Sequence, residues 1–279
     1  VQDHQVPVGG QARILARCVV PTPANARGKT FPLLVWYHAG GFISGYAAMD
    51  DYILRHICVE LQISIVNVDY RLAPEFPFPT GINDSYAALK WAVQNVALLS
   101  ANLSKGFIVS GLSAGGTIAA VMALRARDDP FFRSYPLTGQ ILHSPATIHP
   151  AAYPDRQAKI AIFYSSLSFT HAPILPGRAL AWFYGLVKAP PADPDFSPLL
   201  ASEHAGLPPL WMQLAGMDPL RDEALLYEKV LRTSGVQTKL HVYPGVPHAF
   251  EFVFPKLSIS IQFRSDFRDG IKWLLALSA

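Results

Sequence analysis

The sequence predicts an α/β fold in which a mostly parallel central sheet carries helices on both faces. Three observations predict it. Short apolar runs of strand length alternate with helical patterns along most of the chain, and strands separated by helices build a parallel sheet covered on both sides. Of the 279 residues, 51% are hydrophobic and 15% are charged, against roughly 25% charged in an average soluble domain. Finally, Gly111-Leu112-Ser113-Ala114-Gly115 sets one serine between a strand-like run and a helix-like run, as the sharp turns of such sheets require.

Taken in order, Arg13–Val20 and Leu33–Trp36 read as strands and Asp51–Leu61 as a helix. Ser64–Val68 is a further strand, and Asn83–Val96 is a helix with apolar residues at Ala87, Ala88, Trp91 and Ala92. Gly106–Ser110 forms the strand before Ser113, and Gly116–Arg127, rich in Ala, Met and Leu, forms the helix after it. Gln140–His143, Pro209–Leu214 and Thr238–Tyr243 complete the strands; Asp222–Thr233 and Phe267–Ala276 are the closing helices. The interval 145–206 breaks this rhythm. It is too long for an ordinary connection and too aromatic for disorder, and it holds one helix, Arg178–Val187. We read it as a helical cap insertion over the carboxyl ends of the strands, where sites in open α/β sheets lie. Residues 1–144 and 207–279 are then the catalytic core.

Composition narrows the function. The net charge of +3 comes with no basic cluster, which excludes nucleic acid as a partner. Aromatic residues at 11% suit an apolar cleft for a small lipophilic substrate, and a large core accounts for them equally well. Cys18 and Cys58 lack metal-ligand spacing and read as two buried thiols. No apolar run approaches the ~18 residues of a membrane span, and no signal peptide opens the chain, so the expected compartment is the cytoplasm. Val1 is not an initiator methionine, which leaves the start of the natural chain open.

Ser113 is the candidate nucleophile. At a strand-to-helix turn its hydroxyl is exposed beside helix N-terminal amides that favour negative charge. A serine nucleophile needs a base, the base an orienting acid, and the tetrahedral oxyanion preorganised donors. His248, in the loop Tyr243-Pro244-Gly245-Val246-Pro247-His248 after the last strand, is the base. Asp218, directly after the strand ending at Leu214, is the acid that fixes the imidazole tautomer. Asp222 and Glu223 are its rivals, but they fall in the first turn of the next helix, where acids are favoured anyway. The loop His38-Ala39-Gly40-Gly41-Phe42 lets backbone amides approach a substrate carbonyl. Gly40, Gly41 and Ala114 are the expected oxyanion donors, with His38 orienting the loop. A phosphate-cradling role for the same glycines lacks both G-x-G-x-x-G spacing and a following Lys-Ser/Thr.

Together these segments resemble the hormone-sensitive-lipase-like branch of the α/β-hydrolase fold, the bacterial family IV esterases and their fungal relatives. The marks are His38–Phe42, Asp69-Tyr70-Arg71-Leu72-Ala73-Pro74-Glu75, Gly111–Gly116, Asp193–Leu200 with Gly206-Leu207-Pro208-Pro209, Asp218–Glu223 and Gly245–Phe250. The resemblance implies hydrolysis of short to medium acyl esters through an acyl-enzyme, with no cofactor and no metal. It points toward a fungal-type enzyme, where such hydrolases often trim small acyl groups from secondary metabolites. An amidase or formamidase, and a non-catalytic receptor of the same fold, stay open beside it. Phe42, Leu112, Trp182, Phe183 and Phe250 are the candidate pocket residues. Tyr70, Arg71 and Glu75 are expected to knit a turn beneath the site. Relatives often pair through the last strand and helix, here 238–276, which leaves a homodimer open. The chain departs from the family pattern at Ala39, Leu112 and Ala249. It also starts almost at the first predicted strand, where the family usually has cap helices, so the cap is expected mostly from 145–205.

Overall fold

The computed structural model describes residues 1–24, 28–153 and 164–278. Its frame is one eight-stranded sheet: β1 (Gln2–Gly9), β2 (Ala12–Val19), β3 (Leu33–Tyr37), β4 (Ser64–Asp69), β5 (Phe107–Leu112), β6 (Gly139–His143), β7 (Leu210–Ala215) and β8 (Thr238–Tyr243). The strand order is β1-β2-β4-β3-β5-β6-β7-β8. β2 runs antiparallel to both neighbours, and every other pairing is parallel. The fold class is the one the sequence predicts.

β3, β5, β6 and β7 are buried along their whole length, as expected of strands covered on both faces. Alternate side chains feed two cores. Leu33, Val35 and Tyr37 of β3 join the core under α2 (Thr80–Gln94), α3 (Ala114–Asp128) and α6 (Arg221–Thr233). Leu34 and Trp36 join the opposite core, closed by α1 (Asp51–Leu61) and α8 (Ser258–Leu277). Cys18 and Cys58 lie buried in these two separate cores, and burial pushes their thiols up to about 12 and about 11. They are inert packing groups. No described helix is long and apolar enough to cross a membrane.

Two elements depart from the sequence reading. β1 was not expected: its residues are mostly polar, only Val6 is buried, and Pro7 sits near its end. It forms through backbone pairing with β2 at the sheet edge, where proline is tolerated. α8 begins at Ser258, nine residues before the expected Phe267. Its inward stripe there is Ser260, Phe263 and Phe267, and a buried serine hides the start from an apolar count.

The described part of 145–206 holds two helices, α4 (Tyr164–Ser168) and α5 (Gly177–Val187); residues 154–163 of the expected cap lie outside the described residues. α5 buries only Val187, so it rests on the body through a few anchors. Phe196 gathers an aromatic cluster, with ring centroids 5.2 Å from Phe42, 5.7 Å from Tyr184 and 5.9 Å from Phe78. Phe78 N–H donates to Val187 O at 3.0 Å, and Arg125 pairs with Asp195.

Candidate active site

Ser113 occupies the turn between β5 and α3 with φ 57° and ψ −119°. A positive φ at a non-glycine residue is costly and persists only where neighbours enforce it. Here they do. Ser113 N–H donates to His143 O at 2.8 Å, and Ser113 O accepts from Thr117 N at 3.0 Å. The turn also needs Gly115, where a Cβ would fall 1.9 Å from Tyr37 O and 2.7 Å from His38 O. Glycine there lets α3 press its N-terminus against the end of β3.

His248 follows β8, and its Nε2 lies 2.8 Å from Ser113 Oγ. Its Nδ1 lies 2.6 Å from Asp218 Oδ2. An ionised carboxylate only accepts, so Asp218 assigns the ring proton to Nδ1 and leaves the Nε2 lone pair facing the serine hydroxyl. Asp218 Oδ1 accepts from Leu220 N at 2.9 Å, which holds the carboxylate in place. The loops bearing acid and base are also joined to each other: Gly216 N donates to Tyr243 O at 2.7 Å, and Met217 N to Val246 O at 2.9 Å. Asp218 and His248 are both buried. Burial pulls the imidazole pKa down, but the charge and hydrogen bond of Asp218 outweigh it and leave the ring above its usual 6.5. The rivals are engaged elsewhere. Asp222 accepts from Ser165 N at 2.6 Å and Arg221 Nε at 2.8 Å. Glu223 accepts from Thr147 N at 2.8 Å and from the Tyr153 hydroxyl.

The glycine loop is anchored from below. His38 is fully buried and stacks on Tyr70 with centroids 4.3 Å apart. Its Nδ1 lies 2.7 Å from Ala39 O. Burial lowers the His38 pKa, so the neutral ring spends its proton on that carbonyl. Tyr70 Oη donates to His38 O at 2.8 Å, and Ala73 N donates to Phe42 O at 3.0 Å. Arg71 grips the buried Asp84 with Nε at 2.8 Å and Nη2 at 2.7 Å. Glu75 is exposed and stays out of this knot, contrary to expectation. Gly40 and Gly41 take φ of 129° and 64°, values that favour glycine, and Gly40 O accepts from Ile43 N and Ser44 N at 3.1 Å and 3.0 Å. Ala39 is not among the positive-φ residues, so alanine fits where the family has glycine. Ala249 does carry φ 52°, and a side chain in that region costs about 1–2 kcal/mol.

The candidate pocket residues divide. Phe183 lies across the glycine loop: a Cβ on Gly41 would fall 2.6 Å from its ring. Leu112 is buried in the α1–α8 core and lines a cavity there. Phe42 turns into the opposite core against Phe196. Two others face away from the glycine loop or lie buried elsewhere. Trp182 is 60% exposed, because it sits on the solvent side of α5. Phe250 is 1% exposed and packs with Tyr243 and Phe263, because it opens a short helix, α7 (Phe250–Val253), that turns it inward. His143 and Glu251 were not singled out by the sequence. Both line the cavity beside Leu112, and no motif marks either.

A serine in a sharp turn after β5, with an aspartate after β7 and a histidine after β8 in one hydrogen-bonded row, is a layout found in one fold family. The family model for the alpha/beta hydrolase fold matches residues 34–252, and the chain belongs to that family. Within it, the chain falls in the hormone-sensitive-lipase-like branch. AB hydrolase superfamily protein B1A11.02 of Schizosaccharomyces pombe is 36% identical over 277 residues, 99% of this chain and 80% of the relative. Versiconal hemiacetal acetate esterase of Dothistroma septosporum is 33% identical over 255 residues, 90% of this chain and 76% of its own length. The crystal structure of vibralactone cyclase is similar at a TM-score of 0.96 and 43% identity, over 99% of this chain and 80% of that one.

Proposed function

We propose that this chain is a serine carboxylesterase that cleaves short to medium acyl esters through an acyl-enzyme. The observation that carries the reading is the unbroken row Asp218–His248–Ser113, with contacts of 2.6 Å and 2.8 Å. Ser113 Oγ attacks the ester carbonyl carbon while His248 Nε2 takes its proton. The amides of Gly40, Gly41 and Ala114 receive the oxyanion. His248 then returns the proton to the departing alkoxide, and Asp218 stabilises the imidazolium between the two transfers. Water, deprotonated by the same ring, cleaves the acyl-enzyme and frees the acid.

The name of one similar structure, vibralactone cyclase, supports a second reading for the last step. A hydroxyl on the acyl group can attack the acyl-enzyme in place of water, and the product is then a lactone. One experiment addresses both. p-Nitrophenyl butyrate and p-nitrophenyl 5-hydroxyhexanoate are turned over by the wild type and by Ser113→Ala, with products separated by chromatography. Ser113→Ala is expected to lose at least about a thousandfold in kcat; near-wild-type turnover overturns the reading. Free acid from the hydroxy ester supports hydrolysis, and enzyme-dependent lactone supports ring closure.

A further inference from the structure

A cavity of about 630 Å³ lies on the α1–α8 side of the sheet, a size within the roughly 300–1,000 Å³ of small-molecule sites. It stands beside the reacting row and is no part of it: Ser113, Asp218, His248, Gly40 and Gly41 are all absent from its walls. Its floor is made of the buried side chains Trp36, Leu112, Phe263 and Phe267. Trp36 Nε1 is spent on Asp50 at 2.7 Å. His143 also borders the floor, but both of its ring nitrogens are shut off from accessible space. The floor thus offers no hydrogen bond, and it suits a hydrocarbon chain.

Four charged residues line the cavity, Asp50, Glu251, Lys256 and Arg264, and they separate by sign. The acids belong to the inner side. Asp50 is buried against Trp36, and Glu251 is close enough to His248 for the two charges to act on each other. The bases belong to the mouth, where Lys256 is exposed and Arg264 half-buried. Arg264 Nη2 donates to Pro255 O at 2.7 Å, which sets the guanidinium beside the residue that precedes Lys256. Among the described residues neither base takes part in an ion pair. Two cations without counter-ions at the mouth of an apolar cavity complement a chain with an anionic head. The inner acids repel that head and so fix the direction of the ligand, chain inward and charge outward.

We propose that this cavity binds a medium-chain carboxylate, with its alkyl chain on the Trp36, Leu112 and Phe267 floor and its head between Lys256 and Arg264. In the esterase reading above, such a ligand is the acid set free from a medium-chain ester, held at a place apart from the one that releases it. Binding here needs no turnover, so the inference stands or falls separately from that reading.

The test compares decanoate with 1-decanol, which has the same chain and no charge, by isothermal titration calorimetry. The wild type is expected to hold decanoate at least about tenfold more tightly than 1-decanol, the worth of a charge-assisted hydrogen bond. In the double variant Lys256→Ala, Arg264→Gln that ratio is expected to fall to near one, with the Kd for 1-decanol unchanged. Ile53→Trp, which narrows the cavity from α1, is expected to weaken both ligands by about tenfold. Decanoate bound by the double variant or by Ile53→Trp as tightly as by the wild type lies at another site and overturns the inference. A wild-type ratio near one, or no binding of decanoate, overturns it as well. Should Arg264→Gln disturb α8, Lys256→Ala alone decides by the same ratio, expected to fall at least about threefold. None of these outcomes bears on turnover of p-nitrophenyl butyrate, which tests the esterase reading by itself.

Discussion

His248 sets the pH dependence of the proposed reaction. As general base it works only when neutral, and its surroundings hold its pKa above 6.5. Activity is therefore lost as pH falls through that raised value, and the acid limb of kcat/KM, which reports the free enzyme, is expected above pH 6.5. Besides Asp218, the carboxyl of Glu251 also favours the imidazolium. Burial pushes Glu251 itself up to about 7, so it gains its charge in the same pH range. Glu251→Gln removes that charge, lowers the His248 pKa and moves the acid limb to lower pH. A pH–rate profile of both proteins checks the sign, and a limb that stays put or rises contradicts the account. Not every residue was readable in advance. Ser113, Asp218 and His248, the residues proposed to react, could be picked out because each sits in a short motif after a strand. His143 and Glu251 carry no motif, and only the packing of α7 and α8 brings them to one cavity.

At the scale of elements, α3 approaches β3 so closely that only glycine fits at position 115. Gly115→Ala would place a methyl group 1.9 Å from a backbone oxygen, and backbone cannot swing aside as a side chain can. The expected cost is about 3 kcal/mol or more of stability, read as a lowered urea midpoint with reduced activity. A variant of wild-type stability would mean that the helix and strand stand further apart. The elements themselves were legible where apolar residues keep step with geometry: the buried strands β3 to β7 and the amphipathic helices α1, α2 and α6 emerge from their patterns. β1 was not, because an exposed edge strand is held by backbone hydrogen bonds that composition does not record. The first half of α8 was hidden for a different reason, since the buried Ser260 interrupts its apolar stripe. The facing of Trp182 and Phe250 was not legible, because the facing of one residue on a helix depends on where that helix docks.

Across the whole molecule, the described part of the segment expected to form a cap is tied to α6 at Glu223, which receives Thr147 N–H and the Tyr153 hydroxyl. Burial raises its pKa from 4.5 to about 8. The folded chain therefore holds a proton that the unfolded chain releases, so stability falls as pH rises from about 4.5 to about 8. Glu223→Gln cannot ionise and should flatten that slope, measured as the change in urea midpoint between pH 5 and pH 8. An equally steep slope in the variant assigns the dependence to another group. The hydrogen bonds that join the Asp218 loop to the His248 loop have a mechanical result. Acid and base form a single lever, stiff within itself and rooted at one end of the sheet, whereas the serine is rooted at the centre. Their separation from each other is insensitive to breathing of the sheet. Any flexing between the centre and that end falls on a single joint, the imidazole-to-hydroxyl contact, so that contact is where small distortions anywhere in the frame are felt as lost rate.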